Sequence, residues 1–110
     1  RTPAGPAAFC PVEATAALIG GKWKPIILFQ LTSGPKRFNA LRRLIPDITQ
    51  RMLTLQLRAL EADGIVRREV HAVVPPKVEY ALTAKGWALD PVFAAMAVWG
   101  EQYRPGPAGR

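Results

Sequence analysis

One short break constrains this chain more than any other feature: Pro46-Asp47-Ile48, which separates two amphipathic stretches. Upstream, Asn39 is a good N-cap and predicts a short helix over Ala40 to Ile45, with Leu41, Leu44 and Ile45 as its inner edge and Arg42 and Arg43 pointing out. Pro46 ends it. Downstream, Thr49 caps a longer helix, Gln50 to about Ala62, and Gly64 stands where a left-handed C-terminal residue is needed. Leu53, Leu57 and Leu60 fall on one face of that helix, and Gln50, Arg51, Thr54 and Arg58 fall on the other. Two helices joined by a three-to-four-residue turn make the helix-turn-helix plan.

The flanking segments complete a small domain. Pro11 to Ile19 reads as a helix that Gly20-Gly21 terminates, with Val12, Ala16 and Ile19 on one face. A second helix, about Lys22 to Thr32, takes Pro25 in its first turn; Ile26, Ile27, Leu28, Phe29 and Leu31 make it apolar nearly all round, the mark of a buried central helix. After Gly64 the period changes to two. Ile65 to Val73 and then Val78, Tyr80 and Leu82 predict a β-hairpin with a tip stiffened by Val74-Pro75-Pro76. Thr83 caps a last helix carrying Leu89, Val92, Phe93, Met96, Trp99 and Tyr103 at three-to-four spacing, with Pro91 as a kink. Little remains to cover that face, so a second subunit is its natural partner. The expected organisation is a flexible N-terminal arm (1–9), one domain (10–104) and a flexible tail (105–110).

Charge narrows the class of partner. The chain has 15 Lys and Arg against 8 Asp and Glu. Eight of the basic residues (Lys36, Arg37, Arg42, Arg43, Arg51, Arg58, Arg67 and Arg68) and only three acidic ones (Asp47, Glu61 and Asp63) lie between positions 36 and 68. Such a clustered field attracts polyanions, nucleic acid or anionic lipid headgroups. On the outer face of the fourth helix, arginine can fork onto guanine, glutamine onto adenine, and a threonine methyl can touch the thymine methyl. Gln50, Arg51 and Thr54, at the end that enters a major groove, are therefore the base-edge candidates, and Arg58 is a phosphate contact. Arg67, Arg68 and Lys77 on the hairpin would hold phosphate or enter a minor groove. Basic residues on exposed strands also serve simply to block edge pairing.

The strings Cys10-Pro11-Val12, Gly20-Gly21-Lys22-Trp23, Arg37-Phe38-Asn39, Leu41-Arg42-Arg43, Ile45-Pro46, Thr49-Gln50-Arg51-Met52-Leu53-Thr54, Leu57-Arg58, Leu60-Glu61-Ala62-Asp63-Gly64 and Val74-Pro75-Pro76-Lys77-Val78-Glu79-Tyr80 occur in one order and spacing. In these the chain resembles the HxlR-type transcriptional regulators, over Cys10 to Trp99. The resemblance implies a mainly α fold with a small β-hairpin wing, a winged helix-turn-helix with N- and C-terminal dimerisation helices. It implies a homodimer on double-stranded DNA that controls nearby genes. The DNA-binding set is then Arg37, Asn39, Arg42, Arg43, Thr49, Gln50, Arg51, Thr54, Arg58, Arg67, Arg68 and Lys77, and the dimer interface Val12, Val92, Phe93, Met96, Trp99 and Tyr103. In some members the cysteine matched here by Cys10 senses electrophiles or oxidants.

Other chemistries find less support. Cys10 stands one residue before a helix whose amide dipoles favour an anion there, while Glu13 one turn on opposes it. A lone cysteine excludes an internal disulfide framework and fits a reducing cytosol. His71, the one histidine, reads as a solvent-facing strand residue without ligand partners, so no metal and no cofactor is expected. Trp23, Trp87 and Trp99 are large enough to line an effector pocket, although aromatics at helical spacing more often pack in a core or dimer interface. No phosphate loop, paired carboxylate or Ser/His/Asp set points to an enzyme. No signal peptide and no membrane span is legible. The alternative class is a winged-helix module that binds protein through its recognition face.

Overall fold

Proline and glycine set the helix ends in the computed structural model, which describes residues 8–104. Its elements are α1 (Pro11–Ile19), α2 (Trp23–Leu31), α3 (Phe38–Leu44), α4 (Gln50–Ala62), β1 (Val66–His71), β2 (Lys77–Leu82), α5 (Ala84–Trp87) and α6 (Asp90–Gln102). The expected arm lies outside the described residues but for Ala8 and Phe9, and the expected tail lies outside them altogether.

Ile27, Leu28 and Leu31 of α2 are buried completely, and the core closes around them from Leu41, Ile45, Ile48, Leu53, Leu57, Leu60, Ile65, Leu82 and Phe93. Ile48 anchors the turn between α3 and α4, and its N–H donates to the Ile45 carbonyl at 3.0 Å. Thr49 Oγ1 accepts from the Met52 N–H at 3.0 Å and satisfies one of the four orphan donors of α4. At the other end Gly64 takes φ of +74°, which lets the Ile65 N–H return to the Leu60 carbonyl at 3.0 Å. Ile65 is thereby spent on the helix end, so β1 begins one residue later than its alternation suggests.

The two strands pair antiparallel, Val66 opposite Leu82 through His71 opposite Lys77. A contact that sequence periodicity does not show adds a third segment: Lys36 and Tyr80 exchange both backbone hydrogen bonds, at 3.0 and 2.8 Å. The start of the helix-turn-helix is thus stitched to the base of the wing. Thr83 then locks the other side, donating to the Gly64 carbonyl at 2.6 Å while accepting from the Gly86 N–H at 3.1 Å.

Several expectations are corrected. α3 starts at Phe38 with Arg37 in the cap position and no side-chain cap, because the Lys36 pairing delivers the chain straight into the helix; Asn39 lies inside it and caps nothing. Leu44 is 46% exposed, since in a seven-residue helix Leu41 and Ile45 already occupy the side facing α2. Ile26 and Phe29 are also exposed, so α2 is covered on one side only. Pro91 does not kink one long helix. It sits in the first turn of a separate helix, α6, where its missing N–H costs nothing, and α5 ends four residues earlier.

Candidate nucleic-acid interface

The leucine stripe of α4 decides what its other side can do. With Leu53, Leu57 and Leu60 buried, Gln50, Arg51, Leu55 and Arg58 are exposed and Thr54 is half-buried, and together they line one open groove of about 570 Å³. Thr54 Oγ1 donates back to the Gln50 carbonyl at 2.9 Å, so its free groups are the methyl and the oxygen lone pairs. Thr49 likewise has its oxygen engaged in the cap, where it holds the helix end. Leu55 escaped the sequence reading. A leucine 58% exposed on this face, four residues after Arg51, is an apolar group placed among hydrogen-bonding ones, and its position two residues from both Leu53 and Leu57, off the buried stripe, is the available signal.

α3 supplies the flank. Asn39, Arg42 and Arg43 line a second open groove with Pro46 and Ile48, and Arg37 is exposed at the helix start.

The wing is less simply basic than its three cations suggest. Arg67 donates to Glu69 Oε2 at 2.5 Å and to the Leu82 carbonyl at 3.1 Å, Lys77 stands 3.6 Å from Glu79 Oε2, and Arg68 is exposed on the opposite face of the hairpin. His71 is not without partners: its Nε2 lies 3.0 Å from Glu79 Oε1, a residue eight positions away that the hairpin register brings across. Cys10 occupies the cap position of α1, where it is half-buried and makes no capping hydrogen bond.

The expected dimer residues divide. Val12, Met96, Trp99 and Tyr103 are exposed, the last two stacked with ring centroids 4.8 Å apart. Val92 is half-buried against the core, and Phe93, 3% exposed, is part of the protomer's own core rather than of a free face. α6 packs on α2, and Phe93 lines the groove between them together with Ile26 and Phe29.

A mainly helical domain in which a capped, positively charged helix follows a tight turn and leads directly into a two-stranded hairpin is a winged helix-turn-helix, the fold of DNA-binding regulators. The chain belongs to the HxlR-like helix-turn-helix family, whose profile matches residues 18–107. It is 61% identical to the HTH-type transcriptional regulator YdeP of Bacillus subtilis, over 86% of this chain and 74% of that protein. Among solved structures it is similar to the redox regulator HypR in its oxidised form, at 60% identity and a TM-score of 0.83 over 88% of this chain and all of that one. It is also similar to the quinone-bound YodB of Bacillus subtilis, at 41% identity and a TM-score of 0.71 over 86% and 100% of the two chains. The family is one of transcriptional regulators, not enzymes. Among the described residues no helix is long and apolar enough to cross a membrane.

Proposed function

We propose that the protein is a homodimer that binds an inverted-repeat operator in double-stranded DNA through the outer face of α4. The observation that carries this function is the groove of Gln50, Arg51, Thr54, Leu55 and Arg58, where donors, acceptors and apolar groups stand open on a helix whose other face is fully buried. Leu55, exposed between Arg51 and Arg58, offers a base-reading helix the apolar partner that a thymine methyl needs. Arg37, Asn39, Arg42, Arg43 and Arg68 contribute phosphate contacts that set register without reading sequence.

Selection of binding sites from random duplexes tests the function directly. On the selected operator, Arg51→Ala is expected to cost about 1 to 3 kcal/mol and to relax preference at one position. Leu55→Ala should abolish discrimination between thymine and uracil at one position, since only the methyl differs. Equal weakening of Arg51→Ala on operator and random duplexes would assign Arg51 to phosphate instead.

Control by thiol chemistry is the second part of the proposal. HypR is a redox regulator and YodB binds a quinone, and the single cysteine of this chain is partly accessible at the start of α1, next to the exposed Val12. One thiol per chain permits adduct formation, oxidation or a disulfide to another molecule. Cys10→Ser is expected to keep operator affinity and to lose the response to a quinone, an aldehyde or a peroxide, read by gel shift. Wild-type protein indifferent to all three reagents would remove this part.

A further inference from the structure

Strand alternation puts Arg67, Glu69 and His71 of β1 on the same face of the wing as Lys77 and Glu79 of β2, and the register sets Glu69 directly opposite Glu79. Two carboxylates placed directly across an antiparallel pair repel each other. Their four oxygens are used in two different ways. The outer pair goes to basic side chains, Glu69 Oε2 to Arg67 at 2.5 Å and Glu79 Oε2 to Lys77 at 3.6 Å. The inner pair, both Oε1 atoms, faces His71 Nε2, at 3.0 Å from Glu79 and 3.9 Å from Glu69. A ring nitrogen carries one proton and satisfies one of the two oxygens well. A cation held among the three atoms satisfies all of them.

We propose that Glu69, His71 and Glu79 form a binding site for a divalent transition cation, with zinc as the ion that fits best. Their ligand atoms all lie within 4.8 Å of one another. Tetrahedral zinc with bonds of about 2.1 Å keeps its ligand atoms roughly 3.4 Å apart, a spacing that the 3.0 and 3.9 Å separations from His71 Nε2 bracket. The imidazole selects against calcium and magnesium, which prefer oxygen-only sets, and three protein ligands leave a fourth position for water. All three residues sit in the paired part of the hairpin, so the ladder holds them in place without rearrangement of a loop.

An ion there neutralises the two carboxylates that pair with Arg67 and Lys77, which frees Lys77 toward a phosphate backbone and leaves Arg67 held only by the Leu82 carbonyl, its charge no longer offset. That consequence rests on the proposed DNA contact of the wing, whereas the metal site itself does not. Zinc titration of the DNA-free Cys10→Ser protein, which lacks the one thiol, is therefore the first experiment, read by calorimetry. The expected result is one site per chain, weakened at least ~10-fold in His71→Ala and in Glu79→Gln, the smallest loss that even a ligand's supporting partner typically causes. Circular dichroism of each variant keeps a folding defect separate from a binding one. No zinc binding by the parent, or equal affinity in both folded variants, overturns the site. In the second arm, zinc should tighten wild-type binding to a random duplex and steepen its salt slope by roughly 0.9 for each further phosphate neutralised, with no such change in His71→Ala. Zinc bound in the first arm with DNA affinity unmoved in the second overturns the coupling.

Discussion

Replacing Trp99 by alanine is expected to turn the proposed dimer into a monomer and to take operator binding with it. Trp99 is 65% exposed in the protomer and lies against Tyr103, and with Met96 and Val98 it extends an exposed apolar surface along α6 that none of the described residues buries. The exposed Ile26 and Phe29 of α2 continue that surface across a groove of about 260 Å³ floored by Phe93. A two-fold partner buries such a surface against its own copy. Losing a tryptophan that is fully buried in the assembly costs about 3 to 5 kcal/mol, a hundredfold or more in the dimer constant. The burial of Phe93 makes Trp99 the cleaner probe, because truncating Phe93 would damage the protomer itself. Two recognition helices related by a two-fold axis read half-sites about 34 Å apart, or a multiple of it. Analytical ultracentrifugation of wild type and Trp99→Ala, beside footprinting of the wild-type site, measures both halves of the expectation. A wild-type monomer on and off DNA, or a footprint without two-fold symmetry, would defeat it.

Gly86→Ala should lower the melting temperature by roughly 10 °C or more. A Cβ at Gly86 would stand 2.3 Å from the Ile65 carbonyl oxygen and 3.1 Å from Leu82 Cδ2. That carbonyl cannot step aside cheaply, for it already accepts from the Thr83 N–H at 3.0 Å and from Thr83 Oγ1 at 3.1 Å. Overpacking of this kind costs about 1 to 3 kcal/mol and more where backbone must move, and in a domain of this size each kcal/mol is worth about 4 to 8 °C. The joint that loosens is the one holding the end of α4, the base of the wing and α5 together, so DNA affinity should fall alongside stability. Thermal unfolding followed by circular dichroism decides the matter; a transition within two or three degrees of wild type would mean that the close approach relaxes at little cost.

The residues that read true from the sequence act over short range. Thr49 accepts from an amide three positions on, Gly64 reverses the chain at its own φ, and the leucines of α4 fall on one face at its own helical period. The α4 face proposed to read bases is accordingly legible in the sequence, all but Leu55, whose side chain lies off the buried stripe and is 58% exposed. Errors gathered where a choice depended on what lies across from a residue. Asn39 has the chemistry of a cap, yet the pairing of Lys36 with Tyr80, forty-four positions away, sets where α3 begins. His71 has Glu69 of its own strand at 3.9 Å, but its nearer partner, Glu79 at 3.0 Å, comes to it only through the hairpin register.

The sequence by itself determined the bounds of α1 and α4, the helix-turn-helix with its hairpin and the family, because caps, prolines, glycines and apolar period act within about one helical turn. Only the tertiary structure decided which apolar side chains the protomer keeps and which it leaves bare. It placed Phe93 in the core while leaving Ile26, Phe29 and Trp99 uncovered, and it set Glu69, His71 and Glu79 face to face. Hydrophobicity drives burial without direction, and charges act across whatever gap the fold leaves between them, so both outcomes wait on how the elements pack.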